Sequence, residues 1–131
     1  MEFIRQHIEE FSIISDSDWE YFSSKLVHRI FKKHTVFLKY GAVENHISFI
    51  DKGVVRLYIP KELKEKEVTF GFSFKNQFIS AYDSFLTRRA SLYELETLSD
   101  TQMYSISYTD LQDVYQHTQF GNLIGRLIAE R

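Results

Sequence analysis

The spacing of apolar side chains changes twice along this chain, from helical to alternating and back to helical. The first helical stripe predicts a helix over residues 16–31. Its N-cap is expected to be Ser15, with Asp18 three residues on, or alternatively Ser17, with Glu20 completing a capping box. The members of this stripe are Trp19, Phe22, Leu26 and Ile30. Polar residues fill the opposite face, so we expect the helix to pack one side against a core.

From residue 35 onward, apolar and polar positions alternate, which is typical of strands with one buried face. Asp51-Lys52-Gly53 interrupts the alternation and predicts a tight hairpin turn between two strands. The clearest alternating run is Val68, Phe70, Phe72 and Phe74. Roughly eight short strands separated by turn residues predict a fold that is mainly β with flanking helices, either a β-sandwich or a barrel.

Helical spacing returns near the C-terminus. Thr109 and Gln112 form a candidate capping box for a short helix. A second apolar stripe follows and is still running at Arg131, so the last helix is expected to be cut off. This stripe consists of Phe120, Leu123, Ile124, Leu127 and Ile128. Gly121 and Gly125 would permit another helix to approach it closely.

Length and charge narrow the class of protein. The 131 residues suffice for one domain with one core. Sixteen Lys and Arg against eighteen Asp and Glu give a net charge of -2, which disfavours binding to nucleic acid by the chain as a whole. There is no cysteine, and the N-terminal residues lack an apolar core long enough for a signal peptide. No apolar run approaches the ~18 residues needed to span a membrane. We therefore expect a soluble cytoplasmic domain.

The segments 36–41 and 47–58 resemble the opening of a cyclic-nucleotide-binding jelly roll, also called a double-stranded β-helix. Gly41 and Gly53 fall at two sharp corners, where a residue without Cβ is needed. Segments 67–78, 84–86 and 123–128 resemble the Crp/Fnr family of transcription regulators, in the divergent version found in Bacteroidetes-type bacteria. The resemblance covers nearly the whole chain.

This resemblance implies a bacterial effector domain rather than an enzyme. Residues 1–131 would form the cyclic-nucleotide-binding-like domain and end within the helix through which such regulators form homodimers. The dimer contacts would come from Phe120, Leu123, Ile124, Leu127 and Ile128. DNA would be bound only by a helix-turn-helix domain that is absent from this chain.

The resemblance also identifies a candidate ligand site that departs from the family pattern. The family's phosphate-binding cassette places Gly-Glu before a short helix and Arg-Ser/Thr after it. Ser80-Ala81 and Ser91-Leu92 occupy these positions, so both charged determinants are missing. Hydrogen bonds to charged groups contribute about 1.5–3 kcal/mol each, so losing two weakens binding by about two to four decades. The candidate ligand-binding residues are Phe72, Ser80, Ala81, Tyr82, Arg88, Arg89 and Ser91.

Two interpretations of the roll's interior remain open. In one, Arg88 or Arg89 enters the phosphate site and the effector is a cyclic nucleotide or another small anion. In the other, the domain binds no cofactor and acts as an interaction domain, its interior filled by Phe70, Phe72 and Phe74.

A cupin-like metal-dependent enzyme is the remaining alternative. His34 and His46 could meet across strands, but the sequence lacks the closely spaced histidine pair of cupins. No serine lies in a Gly-x-Ser-x-Gly elbow. Glu94 and Glu96 share one strand face, which is more typical of a solvated edge than of an acid–base pair.

Overall fold

Four α-helices and eight strands make up the described part of the chain, which comprises residues 1–10 and 13–119 of a computed structural model. The helices are α1 (Glu2–Glu9), α2 (Asp16–Ser23), α3 (Tyr82–Thr87) and α4 (Tyr108–His117). The strands are β1 (Val27–Phe31), β2 (Val36–Leu38), β3 (His46–Lys52), β4 (Val55–Ile59), β5 (Val68–Ser73), β6 (Phe78–Ile79), β7 (Glu94–Thr97) and β8 (Thr101–Ser107). A 3₁₀ turn, Lys64–Lys66, lies between β4 and β5.

The strands form two antiparallel four-stranded sheets, in the orders β1-β8-β3-β6 and β2-β7-β4-β5. Except for β4 and β5, neighbouring strands are distant in the sequence; β1, for example, pairs with β8 from Val27↔Ser105 to Phe31↔Thr101. This arrangement confirms the predicted jelly roll with flanking helices.

Two apolar clusters hold the layers together. The first joins the helices to the outer face of the β1-β8-β3-β6 sheet, with Phe22, Phe49 and Phe85 almost fully buried. The second lies between the two sheets, where Ile50, Leu95 and Met103 have no exposed surface. Alternation along β3 and β8 therefore buries both faces of this sheet, one against helices and one against the other sheet.

The predicted helix over residues 16–31 is wrong in its second half. Helix α2 begins as expected, with the Ser15 hydroxyl accepting a hydrogen bond from the Asp18 N–H at 3.2 Å. It ends at Ser23, and the Ser24 hydroxyl bonds back to the Tyr21 carbonyl. Residues 27–31 form β1 because hydrogen bonding to β8 determines their conformation. In this strand Ile30 is 67% exposed and does not face a core.

The predicted hairpin at Asp51-Lys52-Gly53 is also wrong. Strand β3 pairs with β6 and β8, whereas β4 pairs with β5 and β7, so the turn carries the chain from one sheet to the other. Gly53 has a φ of +110°, and a Cβ there would lie 2.3 Å from the Thr101 hydroxyl oxygen. The prediction that Gly41 and Gly53 form special corners is confirmed, since both have positive φ.

Three further expectations need correction or extension. Phe70, Phe72 and Phe74 do not fill the interior, because about half of each side chain is exposed. The N-cap of α4 is Ser107, which accepts from the Asp110 N–H, rather than Thr109. Helix α1, with Ile4 and Ile8 buried, was not predicted.

The predicted C-terminal stripe lies outside the described residues and consists of Phe120, Leu123, Ile124, Leu127 and Ile128. Among residues 1–10 and 13–119, no helix has the length and apolar character to cross a bilayer.

Replacing Gly53 with alanine is expected to lower the free energy of unfolding by about 2–4 kcal/mol, because it combines an unfavourable φ with a clash against Thr101. Gly41→Ala is the matched control, since its φ of +87° is also positive but its Cβ would meet nothing within 4 Å. It should lose only about 1 kcal/mol. Urea denaturation of both variants measures the difference, and equal losses would contradict the role of the Thr101 contact.

Candidate ligand-binding site

The predicted ligand site is built around α3, and Ser80 and Ala81 connect this helix to the end of β6. Both residues are buried, and the Ser80 hydroxyl donates to the His46 carbonyl at 2.7 Å. The Ala81 carbonyl accepts from the Phe85 N–H and so begins the helix. Ser80 therefore anchors the chain to β3, and its hydroxyl is already engaged within the protein.

After α3 the chain returns to β7 along an open cavity of about 340 Å³. The residues that line the cavity are Asp83, Ser84, Thr87, Arg89, Ala90, Ser91, Leu92 and Tyr93. Ser91 is buried, and its backbone exchanges hydrogen bonds with Gly41 and Ala42. Tyr93 is half-buried. Burial is the main cause that raises its pKa, and the negative charge of the nearby Asp83 raises it further. The cavity is large enough for a small organic ligand.

The structure brings only two of the seven predicted site residues, Arg89 and Ser91, to the wall of this cavity. Ser80, Ala81 and Tyr82 lie in or just before the first turn of α3. Phe72 does not approach the cavity, since it lies opposite Arg56 on the outer face of the β2-β7-β4-β5 sheet and is 51% exposed.

Arg88 is held against the protein and away from the cavity. Its φ of +61° ends α3 in the left-handed conformation and turns the side chain back over the helix. One guanidinium nitrogen donates to the carbonyls of Glu44 and Phe85, each at 3.0 Å, and the other donates to Asn45 at 3.1 Å. The guanidinium also lies 4.0 Å from the centre of the Tyr108 ring. All of these contacts are internal, which leaves Arg89 as the arginine that faces the cavity.

Glu44 is the central residue of the site that the sequence analysis missed. Its carboxylate accepts from the Ala81 N–H at 3.2 Å and from the His46 N–H at 3.1 Å, and only 6% of the residue is exposed. Its own N–H donates to the Ser84 hydroxyl at 2.9 Å. The carboxylate thus occupies a backbone donor at the start of α3, where the family pattern would offer donors to a ligand anion.

Burial raises the pKa of Glu44, and backbone N–H donors together with the charge of Arg29 oppose this rise only in part. Nearby, burial lowers the pKa of His46, and the charge of Arg29 lowers it further. His46 is therefore neutral at neutral pH. The histidines paired by the sequence analysis have different neighbours, since the His34 ring lies 4.0 Å from Glu96.

Glu94 and Glu96 are partnered on the outer face of the sheet. Glu94 accepts from the Tyr58 hydroxyl at 2.8 Å, and Glu96 pairs with Arg56 at 3.0 Å. Both carboxylates therefore stabilise the sheet. Within residues 1–10 and 13–119, no group of three or more acidic or histidine side chains is arranged to hold a metal ion.

Two facing antiparallel sheets, with a short helix and an adjoining cavity inserted between β6 and β7, define a ligand-binding jelly roll. A family model described as the cyclic nucleotide-binding domain matches residues 28–118. The chain therefore belongs to the cyclic nucleotide-binding domain family. No curated protein sequence matches it.

Solved structures share this fold at low sequence identity. The catabolite activator protein of Thermus thermophilus superposes with a TM-score of 0.76 at 15% identity, over 92% of this chain and 56% of that one. The sensor domain of the transcriptional regulator DNR from Pseudomonas aeruginosa superposes with a TM-score of 0.74 at 14% identity, over 99% of this chain and 89% of that one. The global regulator CLP from Xanthomonas campestris, described as responsive to c-di-GMP, superposes with a TM-score of 0.69 at 18% identity, over 88% of this chain and 55% of that one. This chain thus spans about half of the Thermus and Xanthomonas proteins.

The resemblance to regulators of the Crp/Fnr type is therefore confirmed at the level of the domain family and the fold. The narrower assignment to Bacteroidetes-type bacteria stays a prediction.

Replacing Arg88 with alanine should lower the free energy of unfolding by about 2–3 kcal/mol, because it removes three charge-assisted hydrogen bonds and the contact with Tyr108. Arg89→Ala is the matched control at the next position and should change stability by less than about 0.5 kcal/mol. Thermal and urea unfolding measure both. Equal losses of stability in the two variants would disprove the stabilising role of the Arg88 hydrogen bonds.

The raised pKa of Glu44 gives the stability a defined pH dependence. Since the folded state binds this proton more tightly than the unfolded state, the contribution of Glu44 to stability is full below the unfolded pKa near 4.5. It is lost as the pH rises through the raised folded pKa. Glu44→Gln cannot titrate, so the stability of the wild type relative to this variant should fall over that range. Urea denaturation at a series of pH values tests this, and a constant difference would rule it out.

Proposed function

We propose that this chain is the ligand-sensing regulatory domain of a cytoplasmic transcription regulator of the Crp/Fnr type, with altered or lost specificity for cyclic nucleotides. It acts by binding and not by catalysis. The observation that carries the proposal is the cavity beside α3 in a cyclic nucleotide-binding fold whose two charged cassette positions are Ala81 and Ser91.

The electrostatics beside α3 support altered specificity. The family's arginine position is Ser91, and Arg88 donates to carbonyls and to Asn45. Arg89 is the exposed arginine on the cavity wall. The buried carboxylate of Glu44 lies on the Ala81 N–H, so a phosphate approaching that donor meets a negative charge. These features favour a ligand other than a cyclic nucleotide bound through the family's contacts.

The packing of α3 suggests how occupancy would reach the rest of a regulator. The Phe85 ring meets the Tyr108 ring edge-on at 5.4 Å, and the Arg88 guanidinium stacks on the same ring. Tyr108 is the first residue of α4, so a shift of α3 acts directly on the C-terminal helical region. A ligand that prefers one position of α3 would thereby change the population of two arrangements of α4.

The complete regulator would have three partners: a second copy of the chain, DNA and a small-molecule effector. Homodimer contacts would come from the residues that the sequence analysis assigned to them, which lie outside the described residues: Phe120, Leu123, Ile124, Leu127 and Ile128. DNA would be bound by a separate domain of the regulator. The small-molecule effector would occupy the cavity beside α3.

Calorimetric titration with cyclic AMP and cyclic GMP tests the altered specificity. The wild type should give no binding heat at millimolar nucleotide, because both charged determinants are missing. Ser91→Arg should gain about one to two decades of affinity, since it restores one charge-assisted contact. Ser91→Gln is the matched control that adds bulk without charge and should stay inactive. Micromolar binding of either nucleotide by the wild type would contradict the proposal.

A further inference from the structure

A second cavity lies on the other side of Glu44, between the edge strands β1 and β2 and the segment 42–46. Its volume is about 390 Å³, which falls within the range of small-molecule sites. The apolar part of its wall includes Val36, Phe37 and Leu38. The charged residues on the wall are Arg29, Lys39 and Glu44. None of its lining residues is shared with the cavity beside α3.

Arg29 is the distinctive residue of this cavity. It lies on β1 opposite the fully buried Met103, so its side chain is directed between the sheets. Its guanidinium carbon lies 4.9 Å from the centre of the Phe31 ring and 6.0 Å from that of Phe37. These two rings stack on each other at 5.1 Å and form an aromatic wall beside the charge.

The Arg29 guanidinium has little polar compensation within the protein. Its hydrogen bond is a long one, from one terminal nitrogen to the Ser105 hydroxyl at 3.5 Å. Within the described residues, the arginines that form ion pairs are Arg5 and Arg56, and Arg29 is not among them. Burial lowers the pKa of Arg29, but a guanidinium stays protonated at neutral pH. The nearby charge of Glu44 compensates this burial only in part, and a bound anion would offset the remaining cost.

The other charges of the cavity indicate the charge of the ligand. The Glu44 carboxylate is held by the backbone N–H groups of Ala81 and His46 and forms no ion pair with Arg29. His46 is neutral because burial and Arg29 lower its pKa. Arg29 and Lys39 against Glu44 leave one net positive charge. This balance suits a monoanion, and the aromatic and aliphatic wall suits an apolar body attached to it.

We propose that the cavity between β1 and β2 is a binding site for a small organic monoanion, a carboxylate on an apolar body, with Arg29 as its anchor. The two parallel N–H groups of the guanidinium fork would donate to the two carboxylate oxygens, and the apolar body would lie against Phe37. The site is independent of the cavity beside α3 and does not rest on the function proposed for it.

Titration of the ¹⁵N-labelled chain followed by NMR tests this site, with benzoate as the probe and benzamide as its neutral counterpart. Benzoate at millimolar concentration should shift the amide signals of residues 36–46, and benzamide should bind at least tenfold more weakly. Inorganic phosphate, which has the charge but no apolar body, should also bind more weakly than benzoate. Absence of benzoate binding, or equal binding of benzoate and benzamide, overturns the proposal.

Two variants at Arg29 and one control complete the test. Arg29→Gln should weaken benzoate binding at least tenfold, and Arg29→Lys, which keeps the charge but lacks the fork, should lie between it and the wild type. Lys33→Gln removes the same charge from an exposed position next to this region and should bind like the wild type. If Arg29→Gln does not fold, Arg29→Lys still decides the question. Undiminished binding by a folded Arg29 variant overturns the proposal.

Discussion

The site depends most on the buried carboxylate of Glu44. A charge with so little exposure is stable only when its oxygens accept hydrogen bonds, and the N–H groups of Ala81 and His46 provide them. The N–H and carbonyl of the same residue bond to Ser84 and Arg88. One residue thereby joins the segment before β3 to the start, middle and end of α3. The position of α3, and with it the shape of the adjoining cavity, depends on the hydrogen bonds made by the carboxylate and the backbone of this one residue.

A second set of contacts links the helices to each other. The Tyr21 hydroxyl and the Lys25 ammonium both bond to the Asp113 carboxylate, which ties the α2 region to α4. At the first residue of α4, Tyr108 packs against α3 through Phe85 and Arg88. Helix α4 is thus fixed near its middle by a polar cluster and at its start by the helix that borders the cavity. Movement of α3 would change the second attachment while leaving the first in place.

Local sequence patterns predicted much of the fold but failed where distant pairing decides the structure. The alternation from residue 35 onward correctly indicated short strands of a mainly β fold, and the resemblance to the family specified a jelly roll with corners at Gly41 and Gly53. Leu26 and Ile30 continue the helical spacing of α2 by coincidence, and pairing with β8, seventy or more residues away, makes residues 27–31 a strand. The hairpin failed for the same reason, since nothing local to Gly53 shows that β3 and β4 join different sheets.

The candidate site was predictable only in part. The family pattern located α3 and the uncharged residues Ala81 and Ser91. The direction of Arg88 could not be predicted, because it depends on a left-handed residue and on acceptors in the segment 44–45. Glu44 belongs to no motif, and its role arises only when the chain brings it to α3. Phe72 was misplaced because alternation shows that two faces exist but does not show which of them is covered.

The outward side chains of β5 have a consequence for the behaviour of the protein at high concentration. Strand β5 forms one edge of its sheet and exposes about half of Val68, Phe70 and Phe72, a combination that promotes strand-to-strand aggregation. The exposed segment 61–66, rich in lysine and glutamate, immediately precedes this edge. Pairing with a second molecule along this edge would desolvate these charged side chains, so the segment disfavours aggregation through β5.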